Sequence, residues 1–200
     1  MRWLTLYARS RQVPAAFAAL VIGAVTVWAL APSRGVGVGG GVRVGAGGDP
    51  RLAVLGMAVG VVAVSVGFGG QDVALDRTAA VRWVPRRAAH VVLAGAVVAG
   101  VSWGLWAPAT EWGGAGVLVR ASAGLTGLAA LGAALSGGQY AWTLPFGWLS
   151  FSFFAPPATG TATRVASWML LPPGAPAGTW TALVLLVTGT SAYALAGPRR

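Results

Sequence analysis

Long apolar stretches dominate the chain, separated by short runs that hold nearly all of its charge. Within them the apolar residues follow neither the alternation of a half-buried strand nor the one-sided stripe of a surface helix. They cover residues 13–31, closed by Pro32; 52–68; 88–107, closed by Pro108; 116–135; 140–155, shorter and interrupted by Pro145; and 180–196. A helix needs about 20 mostly apolar residues to cross about 30 Å of hydrocarbon. The pattern therefore predicts an all-α integral membrane protein, with six transmembrane helices forming one domain over residues 1–200. The first stretch is too long for a signal peptide and has no clean small-residue cleavage site after it.

Composition agrees. Hydrophobic residues make up 56% and charged residues 9%, against roughly a quarter charged in ordinary globular chains; mean hydropathy is +0.72. All 14 basic residues are arginine, and the acids are Asp49, Asp72, Asp76 and Glu111. His90 is the single histidine and there is no cysteine. Disulfides, thiolate catalysis and Cys/His zinc sites are excluded. Without lysine there is no phosphate-loop lysine, Schiff base or lysine general base, so no ATPase or other catalytic motif is expected in this chain. The net charge of +10 reads as arginines beside anionic lipid headgroups rather than as a nucleic-acid surface.

Arginine distribution sets the orientation. With the N-terminus inside, the inner side holds nine (Arg2, Arg9, Arg11, Arg77, Arg82, Arg86, Arg87, Arg199, Arg200) and the outer side five (Arg34, Arg43, Arg51, Arg120, Arg164). Both termini are expected in the cytoplasm, and the tryptophans near the stretch ends suit the interfaces.

Several features could carry chemistry. The run GVGVGGGVRVGAGG (35–48) contains G-x-G-x-x-G, but it follows a membrane stretch rather than a strand and reads as a flexible outer loop. His90 reads as interfacial, with no motif linking it to Ser65, Ser102, Ser122 or Ser136. The small-residue pairs Gly56/Gly60, Gly100/Gly104 and Gly132/Ser136 suggest close helix packing within the chain. Arg120, about one turn inside the fourth stretch, is expected to snorkel outward; its sharper reading faces an internal pathway with Glu111. Pro145 breaks the fifth stretch, and Trp168–Leu171 is apolar but too short to span, suggesting a re-entrant or surface-lying piece. The inner loop 71–87 holds two acids and four arginines. Asp72 is placed to cap a short helix from Val73 that Pro85 ends; Leu75 and Trp83 offer apolar contacts, Asp76, Arg77 and Arg82 charge. Such a helix suits a soluble partner or an anionic lipid surface.

The loop LDRTA, the entry RRAAH into the third stretch, the Trp-x-x-x-Pro element Trp168–Pro172 and the ending YALAGPRR resemble small actinobacterial ABC-transporter permeases. The N-terminal piece with Arg2, Trp3, Tyr7, Arg9 and Arg11 is similar to the interfacial elbow helix that opens type-2 ABC exporter subunits, and would occupy 1–12. The glycine-rich first outer loop departs from that pattern. Arginine without lysine, with heavy Ala, Gly, Val and Pro usage, fits GC-rich coding. The resemblance implies a multi-pass permease subunit of the bacterial plasma membrane. Its partners would be a cytoplasmic ATP-binding subunit, which carries ATP and Mg²⁺, a second permease copy or homologous permease, and membrane lipids. The loop 71–87 would be the coupling helix, with Asp72, Leu75, Asp76, Arg77, Arg82 and Trp83 as its ATPase contacts; Arg120, Glu111 and Pro145 would belong to a pathway. Two alternatives remain. One is the substrate-binding subunit of an energy-coupling-factor-type importer, docking its scaffold through Ala15 and Ala19. The other is a non-transporting membrane scaffold or regulator.

Overall fold

The computed structural model describes residues 13–30, 50–69, 83–106, 115–155 and 159–198, and among these the secondary structure is entirely helical. Helices α1 (Val13–Leu30), α2 (Pro50–Ser65), α3 (Trp83–Trp106) and α4 (Ala115–Ser136) are followed by α5 (Thr143–Phe154), α6 (Thr161–Ala166) and α7 (Pro176–Ala196). Single 3-10 turns follow α2 (Val66–Phe68), α4 (Gly138–Tyr140) and α6 (Trp168–Leu170). The expected elbow helix, the glycine-rich loop, Asp72, Leu75, Asp76, Arg77, Arg82 and Glu111 lie outside the described residues.

Among the described residues, three helices are long and apolar enough to cross a membrane: 83–105, 116–136 and 176–196, with mean hydropathies of 1.8, 1.5 and 1.4. This suggests a membrane protein. Helices α1 and α2 contain shorter apolar segments. At about 1.5 Å per residue, the 12 residues of α5 reach only about 18 Å and cannot cross alone.

Helix α4 is the axis of the bundle: 83% of its apolar window is buried, against 22% in α3 and α7. Small residues explain the difference, because Ala121, Ala129, Ala130, Ala133 and Ala134 are all buried and let neighbours approach closely where lipid weakens the usual hydrophobic drive. The tightest approach is to α7. A Cβ on Gly189 would strike the backbone of Gly127, and one on Gly127 would strike the backbone of Leu185 and Leu186. Outward faces of α3 and α7 carry Val92, Leu93, Trp103, Trp180, Val184 and Val187, all exposed, as lipid-facing surfaces do.

The small-residue pairs divide. Gly60 packs against Leu20 and Val98, and Gly132 lies against the backbone of Ala141, whereas Gly100 and Gly104 meet nothing within 4 Å. Among the described residues the Gly100/Gly104 pair therefore meets no other helix, and the closest crossing uses Gly127 and Gly189 instead.

Both prolines read as breakers start helices. Pro85 lies in the first turn of α3 and does not end a preceding helix, so Trp83 belongs to α3. Pro145 lies in the first turn of α5, buried. A first turn has no intrahelical acceptor for the missing N–H, and the ring fixes φ near its helical value.

Contacts group the described segments at two ends. At one, the Tyr193 hydroxyl of α7 donates to the Phe68 carbonyl oxygen (2.9 Å), and the Phe68 ring meets His90 of α3 edge-on at 5.6 Å. Gly138 there abuts Gly69, and Gly197 lies beside the Arg87 guanidinium. At the other end, Ala53, Val54 and Met57 of α2 gather with Val117 and Leu118 of α4 and with Met169–Leu171.

Candidate functional site

The most unusual backbone in the bundle is the segment 159–175 between α5 and α7. It opens with Gly160, whose N–H donates to Thr163 Oγ1 (3.0 Å), so that side chain secures the start of α6. Ser167 closes α6 by donating from its hydroxyl to the Thr163 carbonyl oxygen (2.7 Å). The chain then makes a 3-10 turn and returns to α7 through Pro172 and Pro173.

The segment runs inward. The Ala166 carbonyl oxygen accepts from the Trp148 indole N–H (2.9 Å) in mid-α5. The Ser152 hydroxyl lies 3.0 Å from the same oxygen and 2.8 Å from Trp148 O, sharing its one proton. Two residues further on, Trp168 is completely buried, its indole filling the slot that the missing side chain of Gly124 leaves on α4. Gly124 lies nine residues after Ala115, about 13 Å into α4 at the α-helical rise. Trp168 and Met169 are thus tucked into the bundle rather than lying on its surface. Apolar side chains drew the segment in, because Trp168 and Met169 bury almost all of their surface there.

Irregular backbone at that depth must find its hydrogen bonds inside the protein. Arg120 supplies them. Its Nη2 donates to the Leu171 carbonyl oxygen at 2.6 Å and its Nη1 to that of Pro172 at 3.3 Å. The guanidinium lies against Gly178 of α7, where a Cβ would come within 3.0 Å of Nη1. The residue is 7% exposed, so it does not snorkel to the surface. All four acids lie outside the described residues, and among those described Arg120 forms no ion pair. The arginine acts as a two-pronged donor to carbonyl oxygens, a use that its planar fork suits better than a lysine ammonium.

The remaining candidates are dispersed. Trp83 is half-buried at the start of α3, with the Arg86 guanidinium carbon 6.0 Å from the centre of its ring. Pro145 is buried in the first turn of α5. Ser65 and Ser122 donate to the carbonyls of Val62 and Val119 in their own helices (2.7 and 3.0 Å), and His90 packs on Phe68. Sequence reasoning missed Phe68, Trp148, Gly124, Gly178 and Tyr193. Their signals were weak, being aromatics near stretch ends (Phe68, Tyr193), one tryptophan inside the aromatic-rich fifth stretch, and glycines in a chain that has 31 of them.

The geometry offers a helical bundle with an irregular segment tucked in and pinned at one end. No family model, no curated protein and no solved structure matches this chain.

Proposed function

We propose that the chain is a six-pass transmembrane subunit of an ABC-type exporter, with both termini in the cytoplasm and a separate cytoplasmic ATPase as its motor. The reading rests first on the resemblance of the loop and chain-end motifs. It is supported by the contacts at the Phe68 end, where the entry and exit of loop 70–82 meet the residues just before the C-terminus. In this reading the segments that carry Arg77, Arg82, Arg199 and Arg200 face the cytoplasm, as the positive-inside rule asks.

One observation carries the coupling role. The loop leaves the bundle at Phe68, a residue with no exposed surface, whose carbonyl is bonded to Tyr193. It re-enters at Trp83, the first residue of α3. A push on a loop tied at both ends into packed helices moves those helices, whereas a loosely tethered loop would absorb it. ATP and Mg²⁺ belong to the ATPase in this reading, and the chain itself contributes contacts and a path.

The test is capture of the ATPase on the tagged full-length chain, with export measured in parallel. Losing a buried interface tryptophan commonly costs about 2 kcal/mol or more, and an exposed charge under about 1 kcal/mol. Trp83→Ala and Leu75→Asp should therefore weaken capture or uncouple hydrolysis from export while membrane insertion stays normal, and Asp76→Ala should do so less. Full partner binding and full export in both strong variants would refute the coupling role.

A further inference from the structure

We propose that segment 159–175 is a movable plug and that Arg120 is the latch holding it closed. Three independent observations carry the inference.

The first is how the plug is held. Its inner tip is apolar, with Trp168 on Gly124 and Met169 beside Leu118 and Met57. Polar ties join it to the rest of the bundle at two places: Trp148 and Ser152 on Ala166, and Arg120 on Leu171 and Pro172. Of these only Arg120 brings charge, and charge-assisted bonds are about twice as strong as neutral ones. Withdrawing that guanidinium would leave the partly buried Leu171 carbonyl oxygen without its donor, whereas the Pro172 oxygen keeps the Ala175 N–H (3.3 Å).

The second is that the seat leaves donors without acceptors. Arg120 Nε and Trp168 Nε1 are buried with no hydrogen-bond partner among the described residues. Interiors shaped for one permanent arrangement rarely leave such groups unpaired. Both would regain water on opening, which offsets part of the cost of leaving the closed state.

The third is that the segment is bounded by glycines with free surroundings. Among the described residues a Cβ added at Gly174, whose φ is +81°, would meet nothing within 4 Å, and one at Gly160 would meet Thr163 Oγ1 alone, at 3.9 Å. Gly174 thus turns the chain where no side chain has to clear a neighbour, and opening must also release the Ala166 carbonyl from Trp148 and Ser152 of α5.

The test follows a cysteine at Met169, which is 1% exposed on the plug, in the otherwise cysteine-free chain. Full-length protein is held in open membrane sheets, so both faces meet a charged, membrane-impermeant thiol reagent and the readout needs neither the ATPase nor a known topology. Val98→Cys, at a position 1% exposed in α3, reports on the bundle itself. Met169→Cys should react slowly but measurably faster than Val98→Cys. Adding Arg120→Gln should accelerate the plug cysteine by about tenfold or more and leave Val98→Cys unchanged; Arg120→Lys, which cannot reproduce the fork, should fall between. Met169→Cys as protected as Val98→Cys, no acceleration by Arg120→Gln, or equal acceleration at both cysteines would each overturn the proposal, the last because Arg120 would then hold the whole bundle.

Discussion

Two glycine-to-alanine changes, chemically identical, should have opposite consequences. At Gly189 the new Cβ would collide with the Gly127 carbonyl oxygen and lie 2.7 Å from its carbon and 3.0 Å from Cα. Backbone cannot swing aside as a side chain can, and favourable carbon contacts lie at about 3.5–4.0 Å. The helices α4 and α7 must therefore part by about 1 Å, and a gap of that size forfeits about a quarter to a half of the dispersion well of each contact it opens. Overpacking of this kind costs about 1–3 kcal/mol, and the rigidity of both partners places Gly189→Ala at the upper end. Replacing a helical glycine returns up to about 1 kcal/mol, for a net loss of about 2 kcal/mol. At Gly100 nothing lies within 4 Å, so Gly100→Ala keeps the propensity gain alone. The two variants should differ by about 3 kcal/mol, roughly a hundredfold in the unfolding equilibrium. Denaturation in mixed detergent micelles, followed by tryptophan fluorescence at matched protein concentration, measures that gap. Equal stabilities would refute the claim that the α4–α7 crossing is held by the absence of side chains.

Other expectations concern single bonds. Tyr193→Phe removes the donor to a buried carbonyl and should cost about 1–3 kcal/mol, read as a lower melting temperature in detergent. Trp148→Phe and Ser152→Ala should each be mild, because one donor to Ala166 survives. The double variant should cost more than the sum of the two in a double-mutant cycle, and simple additivity would contradict the shared acceptor. Gly174→Val forces a branched side chain into positive φ and should destabilise by about 1–2 kcal/mol, which the same detergent denaturation would register.

How far the sequence announced this arrangement depends on whether the deciding partner was local. Helix type followed from apolar stretches long enough to need no tertiary information. Pro85 and Pro145 misled because proline suits a first turn as well as it stops a last one. Arg120 was conspicuous by its depth, yet its direction was hidden. The acceptors are main-chain oxygens 51 and 52 residues away, and no side chain advertises a carbonyl. Trp168–Leu171 was visibly too short to span, but its descent to Gly124 required knowing that α4 is lined with small residues facing α5–α7. The Gly100/Gly104 pair fits a close-packing motif and meets open space, whereas the working pair, Gly127 and Gly189, sits on two different helices and has no sequence spacing at all.

The most direct test of the six-pass arrangement is the sidedness of single cysteines in intact cells. The native chain has no cysteine, so each introduced thiol reports alone. Pro198 is preferable to Gly197 as a C-terminal probe, because Gly197 has φ +69° and lies against Arg87. An impermeant reagent added outside is expected to label Arg43→Cys and Thr161→Cys, and to reach Thr78→Cys and Pro198→Cys only after the membrane is permeabilised. Outside labelling of Thr78→Cys, or protection of Thr161→Cys together with Pro198→Cys, would contradict the six-pass arrangement and with it the cytoplasmic coupling loop.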